Sequence, residues 1–247
     1  MQIVVEDILL NYQILGSKNQ KVILILHGWE RNLQEWLPLA QLLSVKHRII
    51  LVDLPGFGNS SLPKSTFDTN DSAKYVELLL NKLNIKKEVT IIGHSFGGKV
   101  AVILAWRDKI KIKKLILIAP SGLPASFKTK SLRILVKVFK NSFGLFLPKP
   151  ILTVLTNLCA SPDYKQAGEL GDSFKRIVGQ NIVKQLSELR LPITLIWGSQ
   201  DLILPVNQIN SYKKFIPHAR TKIIWGSGHD PHLEKAKLLK EVISEML

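Results

Sequence analysis

Short apolar runs alternate with amphipathic stretches along most of the chain. The apolar runs cover residues 22–27, 48–53, 89–92, 114–119, 193–197 and 222–225, and two more short strands are predicted within residues 2–15. Runs of this kind are typical of buried strands. Helical periodicity covers residues 33–43, 70–83, 96–106, 206–215 and 233–246. The pattern predicts a doubly wound α/β fold, in which a mostly parallel sheet carries helices on both faces.

The alternation stops between residues 120 and 190. This stretch contains no strong strand signal, and glycine and proline residues divide it into helical pieces. We therefore expect residues 1–120 and 191–247 to form the core of the fold and residues 121–190 to form a helical insertion.

A serine lies where one predicted strand turns into a helix. Ser95 is flanked by Gly93 and Gly97 in the pattern Gly-x-Ser-x-Gly. Because glycine has no Cβ, the strand and the helix can approach closely, and the tight turn strains the backbone of the serine. Such a turn exposes the hydroxyl group beside the free N–H groups of the helix. The pattern predicts a nucleophile, although an ordinary glycine-rich turn can have the same five residues.

Two more reactive residues follow later strands. Asp201 comes just after the run at 193–197, and His229 just after the run at 222–225. Ligands bind at the carboxyl ends of the strands in such sheets, so we expect these side chains to meet Ser95 there. Ser95 then acts as nucleophile, His229 as its base and Asp201 as the acid that orients the base. The rival base is His232, and the rival acids are Asp53 and Asp230.

An oxyanion hole needs two backbone donors. The N–H of Phe96, directly after the serine, is the first expected donor. Trp29 follows the strand that ends at residue 27, and its N–H is the second expected donor, with Gly28 as the fallback.

Five segments match the motifs of a known family. They are His-Gly-Trp at 27–29, Asp-Leu-Pro-Gly-Phe-Gly-Asn-Ser at 53–60, Gly-His-Ser-Phe-Gly-Gly at 93–98, Trp-Gly-Ser-Gln-Asp at 197–201 and Gly-His-Asp-Pro-His-Leu-Glu at 228–234. On these segments the chain resembles the α/β-hydrolase family along essentially its whole length, and most closely the small capped esterases and carbon–carbon-bond hydrolases. The resemblance implies that residues 121–190 form a helical cap between the sixth and seventh core strands. Haloalkane dehalogenases and epoxide hydrolases carry an aspartate where this chain has Ser95.

The resemblance implies hydrolysis of carboxylic esters, and the triad implies an acyl-enzyme intermediate. Esters of small to medium apolar acids are the expected substrates. Hydrolysis of thioesters or of the carbon–carbon bond of a diketone is the alternative within the same fold. A ligand-binding, receptor-like protein with little turnover is the alternative of another class, because a fold does not determine function.

Apolar residues predict the pocket. Residues 131–147 have an apolar stripe and a basic stripe, as expected for a cap helix that covers the site. The predicted pocket residues are Trp29, Glu30, Phe96, Phe139, Phe143, Phe146 and Leu202.

Positive charge is concentrated in one part of the chain. The net charge is +15, and residues 109–162 contain ten lysines and arginines but no aspartate or glutamate. We interpret these mainly as solvated surface residues, with weak contact between the basic cap and an anionic membrane as the alternative. Nothing resembles a nucleic-acid-binding module, and we expect no metal and no cofactor. A single cysteine, no signal peptide and no membrane span predict a cytoplasmic protein, monomeric or homodimeric.

Overall fold

The computed structural model describes residues 1–124 and 170–247, which form an α/β-hydrolase fold around one eight-stranded sheet. The strands are β1 (Gln2–Val5), β2 (Ile8–Leu15), β3 (Val22–Leu26), β4 (Arg48–Val52), β5 (Val89–His94), β6 (Ile112–Ile118), β7 (Ile193–Gly198) and β8 (Arg220–Ile224). Their order in the sheet is β1-β2-β4-β3-β5-β6-β7-β8. β2 runs antiparallel to β1 and to β4, and all other neighbouring strands are parallel, so the predicted mostly parallel sheet is confirmed.

Helices cover both faces of this sheet. The described helices are α1 (Leu37–Ser44), α2 (Thr69–Lys82), α3 (Phe96–Arg107), α4 (Gly171–Gly179), α5 (Val183–Glu188), α6 (Gln208–Lys213), α7 (Pro231–Glu234) and α8 (Ala236–Ser244). Alternate residues of each strand point to opposite faces. Leu24 and Leu26 of β3 pack with α2 and α3 on one face, whereas Ile23 and Ile25 pack with α1 and α8 on the other.

Two predicted helices differ from the structure in detail. The stretch at 33–43 begins as a 3-10 turn at Leu33–Trp36, and α1 starts only at Leu37. The predicted last helix at 233–246 is divided into α7 and α8, because Lys235 leaves the helical region with φ −138° and ψ 43°. Periodicity did not reveal this break, since apolar residues keep their spacing on both sides of it.

The predicted insertion connects β6 to β7. Residues 125–169 lie outside the described part of the chain, and α4 and α5 lie in its last portion. That portion is attached to the core by polar contacts. Ser173 Oγ accepts a hydrogen bond from the N–H of Phe67 at 3.2 Å. The buried Lys99 ammonium donates to the carbonyls of Ile177 and Gln180, and burial lowers the pKa of Lys99 to about 8.

Among the helices of residues 1–124 and 170–247, none has the length and apolar character needed to span a membrane.

The most crowded point of the fold is the junction of β3, β5 and α3. A Cβ on Gly93 would lie 2.6 Å from the carbonyl oxygen of Gly97, and a Cβ on Gly97 would collide with the carbonyl oxygens of Leu26 and His27. Neither contact can relax by a side-chain rotation, because the obstructing atoms belong to the backbone. Glycine is therefore required at both positions.

We expect Gly97→Ala to lower the free energy of unfolding by about 2–3 kcal/mol, because the added methyl group forces β3 and α3 apart. Gly179→Ala is the matched control, since a Cβ at Gly179 meets no atom within 4 Å. Urea unfolding of both variants and the parent measures the difference. Equal denaturation midpoints for the two variants would contradict the packing argument.

Candidate active site

Ser95 occupies a strained turn between β5 and α3. Its backbone has φ 49° and ψ −112°, a region that residues with a side chain rarely adopt. Hydrogen bonds hold the turn, since Ser95 N–H donates to the carbonyl of Ile118 at 3.0 Å and the Ser95 carbonyl accepts from Ser121 N–H at 3.0 Å. The neighbouring strand therefore fixes the serine in the conformation that the Gly-x-Ser-x-Gly pattern predicts.

Asp201 and His229 meet at the same end of the sheet. His229 Nδ1 lies 2.8 Å from Asp201 Oδ2, and the Asp201 side chain is fully buried. The other oxygen, Oδ1, accepts hydrogen bonds from the N–H groups of Ile203 at 2.9 Å and Leu204 at 2.8 Å. The carboxylate is thus fixed by its own loop on one side and by the imidazole on the other. Because Nδ1 faces the carboxylate, Nε2 of His229 is the nitrogen that can accept a proton.

His94 connects the serine turn to the loop of His229. Its Nε2 lies 2.9 Å from the carbonyl oxygen of His229, and the two rings are 4.8 Å apart between centroids. His94 directly precedes Ser95 in the chain, so this contact brings the serine turn and the histidine loop together. The role of His94 is therefore structural, because its side chain contacts the backbone of His229.

The predicted oxyanion loop lies directly against Ser95. A Cβ built on Gly28 would be only 3.5 Å from Ser95 Cβ. The indole ring of Trp29 makes an edge contact with the ring of Phe96 at 5.6 Å. Phe96 is the first residue of α3, so its N–H has no acceptor within the helix. Trp29 and Phe96 therefore lie next to each other, and the role of their N–H groups as oxyanion donors stays a prediction.

An aromatic cluster surrounds Trp29. The ring of Trp29 lies 4.8 Å from Phe57, 5.6 Å from Phe96 and 4.8 Å from Phe174, between centroids. Phe57 and Phe174 were not among the predicted site residues. The sequence does contain a signal for Phe174, because the apolar residues Phe174 and Ile177 are three positions apart, as on one face of a helix. Both are buried in α4.

The ring contacts of the described residues place no other predicted pocket residue in this cluster. Glu30 is exposed, with φ 55°, and Leu202 is 93% exposed. Phe139, Phe143 and Phe146 lie outside the described residues. The pocket roles of these five residues stay predictions.

Asp53, a rival acid, and His232, the rival base, contact residues outside the proposed triad. Both carboxylate oxygens of Asp53 accept hydrogen bonds, from Leu33 N–H at 2.7 Å and from Asn59 N–H and Asn11 Nδ2 at 2.9 and 2.8 Å. Asp53 thereby fixes the turn that follows β4. His232 is buried and stacks on Trp36 with the ring centroids 4.1 Å apart.

Asp230 forms an ion pair that sequence reasoning missed. Arg31 Nη2 lies 2.7 Å from Asp230 Oδ2, and Arg31 Nη1 lies 3.2 Å from Glu35. Asp230 also offers a ligand atom that lies within 4.8 Å of ligand atoms of His94 and His232, the spacing of a metal site. Arg31 pairs with Oδ2 of Asp230 and His94 Nε2 contacts the His229 carbonyl, whereas Asp230 Oδ1 has no hydrogen-bond partner among the described residues. The expected absence of a metal stays a prediction.

Two buried histidines beside the site are held neutral. Burial is the main reason why the pKa of His27 is lowered and why the pKa of His94 lies well below its usual value. His27 Nε2 accepts from the N–H of Leu54 at 2.9 Å, while Nδ1 lies 2.7 Å from the carbonyl oxygen of Gly28. A neutral ring with its proton on Nδ1 satisfies both contacts, and a second proton would break the contact to Leu54.

We expect the free energy of unfolding to fall as the pH drops below about 6.5. In the unfolded chain both histidines become protonated below this pH, whereas in the folded protein the buried His27 and His94 stay neutral. The free energy of unfolding therefore falls by up to about 1.4 kcal/mol per histidine for each pH unit. Urea unfolding at pH 7.5, 6.5 and 5.5 measures the slope. His94→Gln removes one of the two groups and is expected to reduce the slope, and a variant with an unchanged slope would contradict the assignment.

Comparison with known proteins agrees with the fold. A family model described as the alpha/beta hydrolase fold matches residues 21–236. The uncharacterized protein Rv2715 of Mycobacterium tuberculosis is 28% identical over 264 residues, covering 92% of this chain and 75% of that protein. Lipase 1 of Psychrobacter immobilis is 26% identical over 241 residues, covering 89% and 74%.

A solved structure is also similar along the whole chain. The crystal structure of a bacterial membrane phospholipase A, described as a virulence factor, has a TM-score of 0.78 at 22% identity and covers 99% of this chain and 84% of that one. At this identity the likeness shows the fold alone. Because the family model spans most of the chain, the chain belongs to the α/β-hydrolase fold family and is a hydrolase.

Proposed function

We propose that the protein hydrolyses carboxylic esters of small to medium apolar acids through an acyl-enzyme intermediate. The observation that carries the proposal is the 2.8 Å contact between His229 Nδ1 and Asp201 Oδ2, at the same end of the sheet as the strained Ser95. A base oriented by a buried carboxylate, at the same strand ends as a half-buried serine, is the arrangement that nucleophilic catalysis needs. The similarity to Lipase 1 supports an ester substrate.

Acylation begins when the Ser95 hydroxyl attacks the ester carbonyl. His229 Nε2 takes the hydroxyl proton, and the buried Asp201 carboxylate stabilises the imidazolium that forms. The oxygen of the tetrahedral intermediate accepts hydrogen bonds from the N–H groups of Phe96 and Trp29, or of Gly28 in place of Trp29. His229 then gives its proton to the leaving alcohol, and the acyl group remains on Ser95.

Deacylation repeats the same steps with water as the nucleophile. His229 takes a proton from the water molecule, which attacks the acyl-serine carbonyl, and the same N–H groups hold the second oxyanion. Collapse of this intermediate releases the carboxylic acid and returns the proton to Ser95.

The aromatic cluster around Trp29 supports an apolar acyl group. Trp29, Phe57, Phe96 and Phe174 form an apolar wall beside the serine turn. We further propose that residues 121–190 form a cap over this wall, supported by the contacts of α4 with Trp29 and Lys99. Thioesters and diketones cleaved at a carbon–carbon bond remain the alternative substrates.

A cytoplasmic monomer or homodimer remains the expected form of the protein.

Ser95→Ala is expected to lower kcat/KM for a p-nitrophenyl ester by at least about 10⁴-fold, because the nucleophile is removed while binding is retained. Ser187→Ala is the matched control, since its hydroxyl donates only to the nearby carbonyl of Lys184 among the described residues. A fluorophosphonate probe is expected to label the parent and Ser187→Ala but not Ser95→Ala. Full turnover by a folded Ser95→Ala would contradict the proposal, and a parent protein that is neither labelled nor active would favour the receptor-like alternative.

Phe174→Ala is expected to lower kcat/KM for a hexanoate ester about 10-fold more than for an acetate ester, because only the longer chain reaches the aromatic wall. Val178→Ala lies on the exposed side of the same helix and serves as control. An acyl thioester and a dienoate diketone in the same assays distinguish the alternative substrates. A chain-length preference that Phe174→Ala does not change would remove Phe174 from the pocket.

A further inference from the structure

Positive charge surrounds a cavity at the end of the sheet opposite Ser95. The cavity has a volume of about 410 Å³, and its lining includes Lys21, Lys86, Lys87, Lys111, Lys113 and His47. These residues lie just before or at the amino ends of parallel strands, whereas Ser95 follows the carboxyl end of β5. A strand of this length separates the two ends by about 20 Å. The cavity is therefore distinct from the candidate active site.

Positive charge exceeds negative charge around this cavity within the described residues. No carboxylate of residues 1–124 and 170–247 forms an ion pair with any of the five lysines. Glu88 also lines the cavity, so that one side-chain carboxylate faces five ammonium groups. A site of this kind attracts anions.

Neighbouring groups show the same excess of positive charge. Burial lowers the pKa of Lys114, and Lys113, Arg220 and Lys21 lower it further by repulsion. Burial likewise lowers the pKa of His47, and the repulsion of Lys21 and Lys46 opposes its protonation too. Arg48, which follows His47, keeps a buried Nε with no hydrogen-bond partner among the described residues. A bound anion would relieve this repulsion.

A groove with a mixed lining continues from the cavity, with Leu42, Leu43 and Val45 on its apolar side and Lys46 and Lys240 among its polar residues. It has a volume of about 860 Å³ and shares Lys21, His47 and Leu247 with the basic cavity. Leu42 and Val45, which line the groove, are 44% and 77% exposed. The two spaces together fit a molecule that is anionic at one end and apolar at the other.

We propose that this cavity and groove form a second ligand site, which binds a small organic phosphate with its phosphate group among the lysines and its apolar part along Leu42 and Val45. Several lysines around one space suit a multiply charged phosphate better than a single carboxylate, because an ammonium group binds phosphate as a point charge. The concave shape favours a molecule that enters the site over a flat membrane surface.

The test measures binding of inorganic phosphate, pyrophosphate and hexyl phosphate by isothermal titration calorimetry. The site variant is Lys21→Gln/Lys87→Gln/Lys113→Gln. The control variant, Lys184→Gln/Lys213→Gln/Lys214→Gln, removes the same charge from exposed positions elsewhere. Ester hydrolysis by both variants reports that they are folded, because none of the six lysines belongs to the candidate active site.

We expect the parent and the control variant to bind pyrophosphate equally and the site variant to bind it at least about 10-fold more weakly, with affinity falling as salt increases. Hexyl phosphate is expected to bind more tightly than inorganic phosphate, and Val45→Ser to reduce that difference. Equal weakening in the two triple variants, or no saturable binding by the parent, would overturn the proposal. A last experiment measures whether the protein floats with phosphatidic acid vesicles. Binding to vesicles without binding to soluble phosphates would overturn the small-molecule assignment.

Discussion

The close approach of β3, β5 and α3 is the constraint on which the candidate site depends. Gly93 and Gly97 lie against backbone atoms, so no side chain separates the strand from the helix that follows it. This contact forces Ser95 into its positive φ and brings Gly28 next to the serine. The strain at one residue is tolerated because the surrounding sheet holds the turn from both sides. The position of the candidate nucleophile and that of the proposed oxyanion loop are therefore consequences of one packing requirement.

Polar groups at the same end of the sheet are held by the loops that follow the strands. The buried Asp201 carboxylate is fixed by two N–H groups of its own loop before it contacts His229. His94 holds the backbone of His229, and the neutral His27 connects the loop of Gly28 to Leu54. A site built in this way is preorganised, because its polar groups point in the required direction before a substrate binds.

The two ends of the parallel sheet differ in chemistry. The carboxyl ends bring together a serine, an acid, a base and an aromatic wall, while the amino ends bring together lysines with few carboxylates. Part of the basic stretch that the sequence displays at 109–162, namely Lys111, Lys113 and Lys114, lies at the amino ends. These three lysines thus lie away from the candidate chemistry.

The sequence by itself determined the strands, most helices and the order of Ser95, Asp201 and His229 along the chain. These features follow from local periodicity and from the rule that side chains after parallel strands share one edge. Only the tertiary structure decided which acid contacts His229, how Phe174 reaches Trp29 and why Lys21, Lys87 and Lys113 surround one cavity. It also decided the break at Lys235 and the 3-10 turn before α1. The reason is that these outcomes depend on contacts between residues far apart in the chain, or on a local backbone conformation that leaves the apolar spacing unchanged.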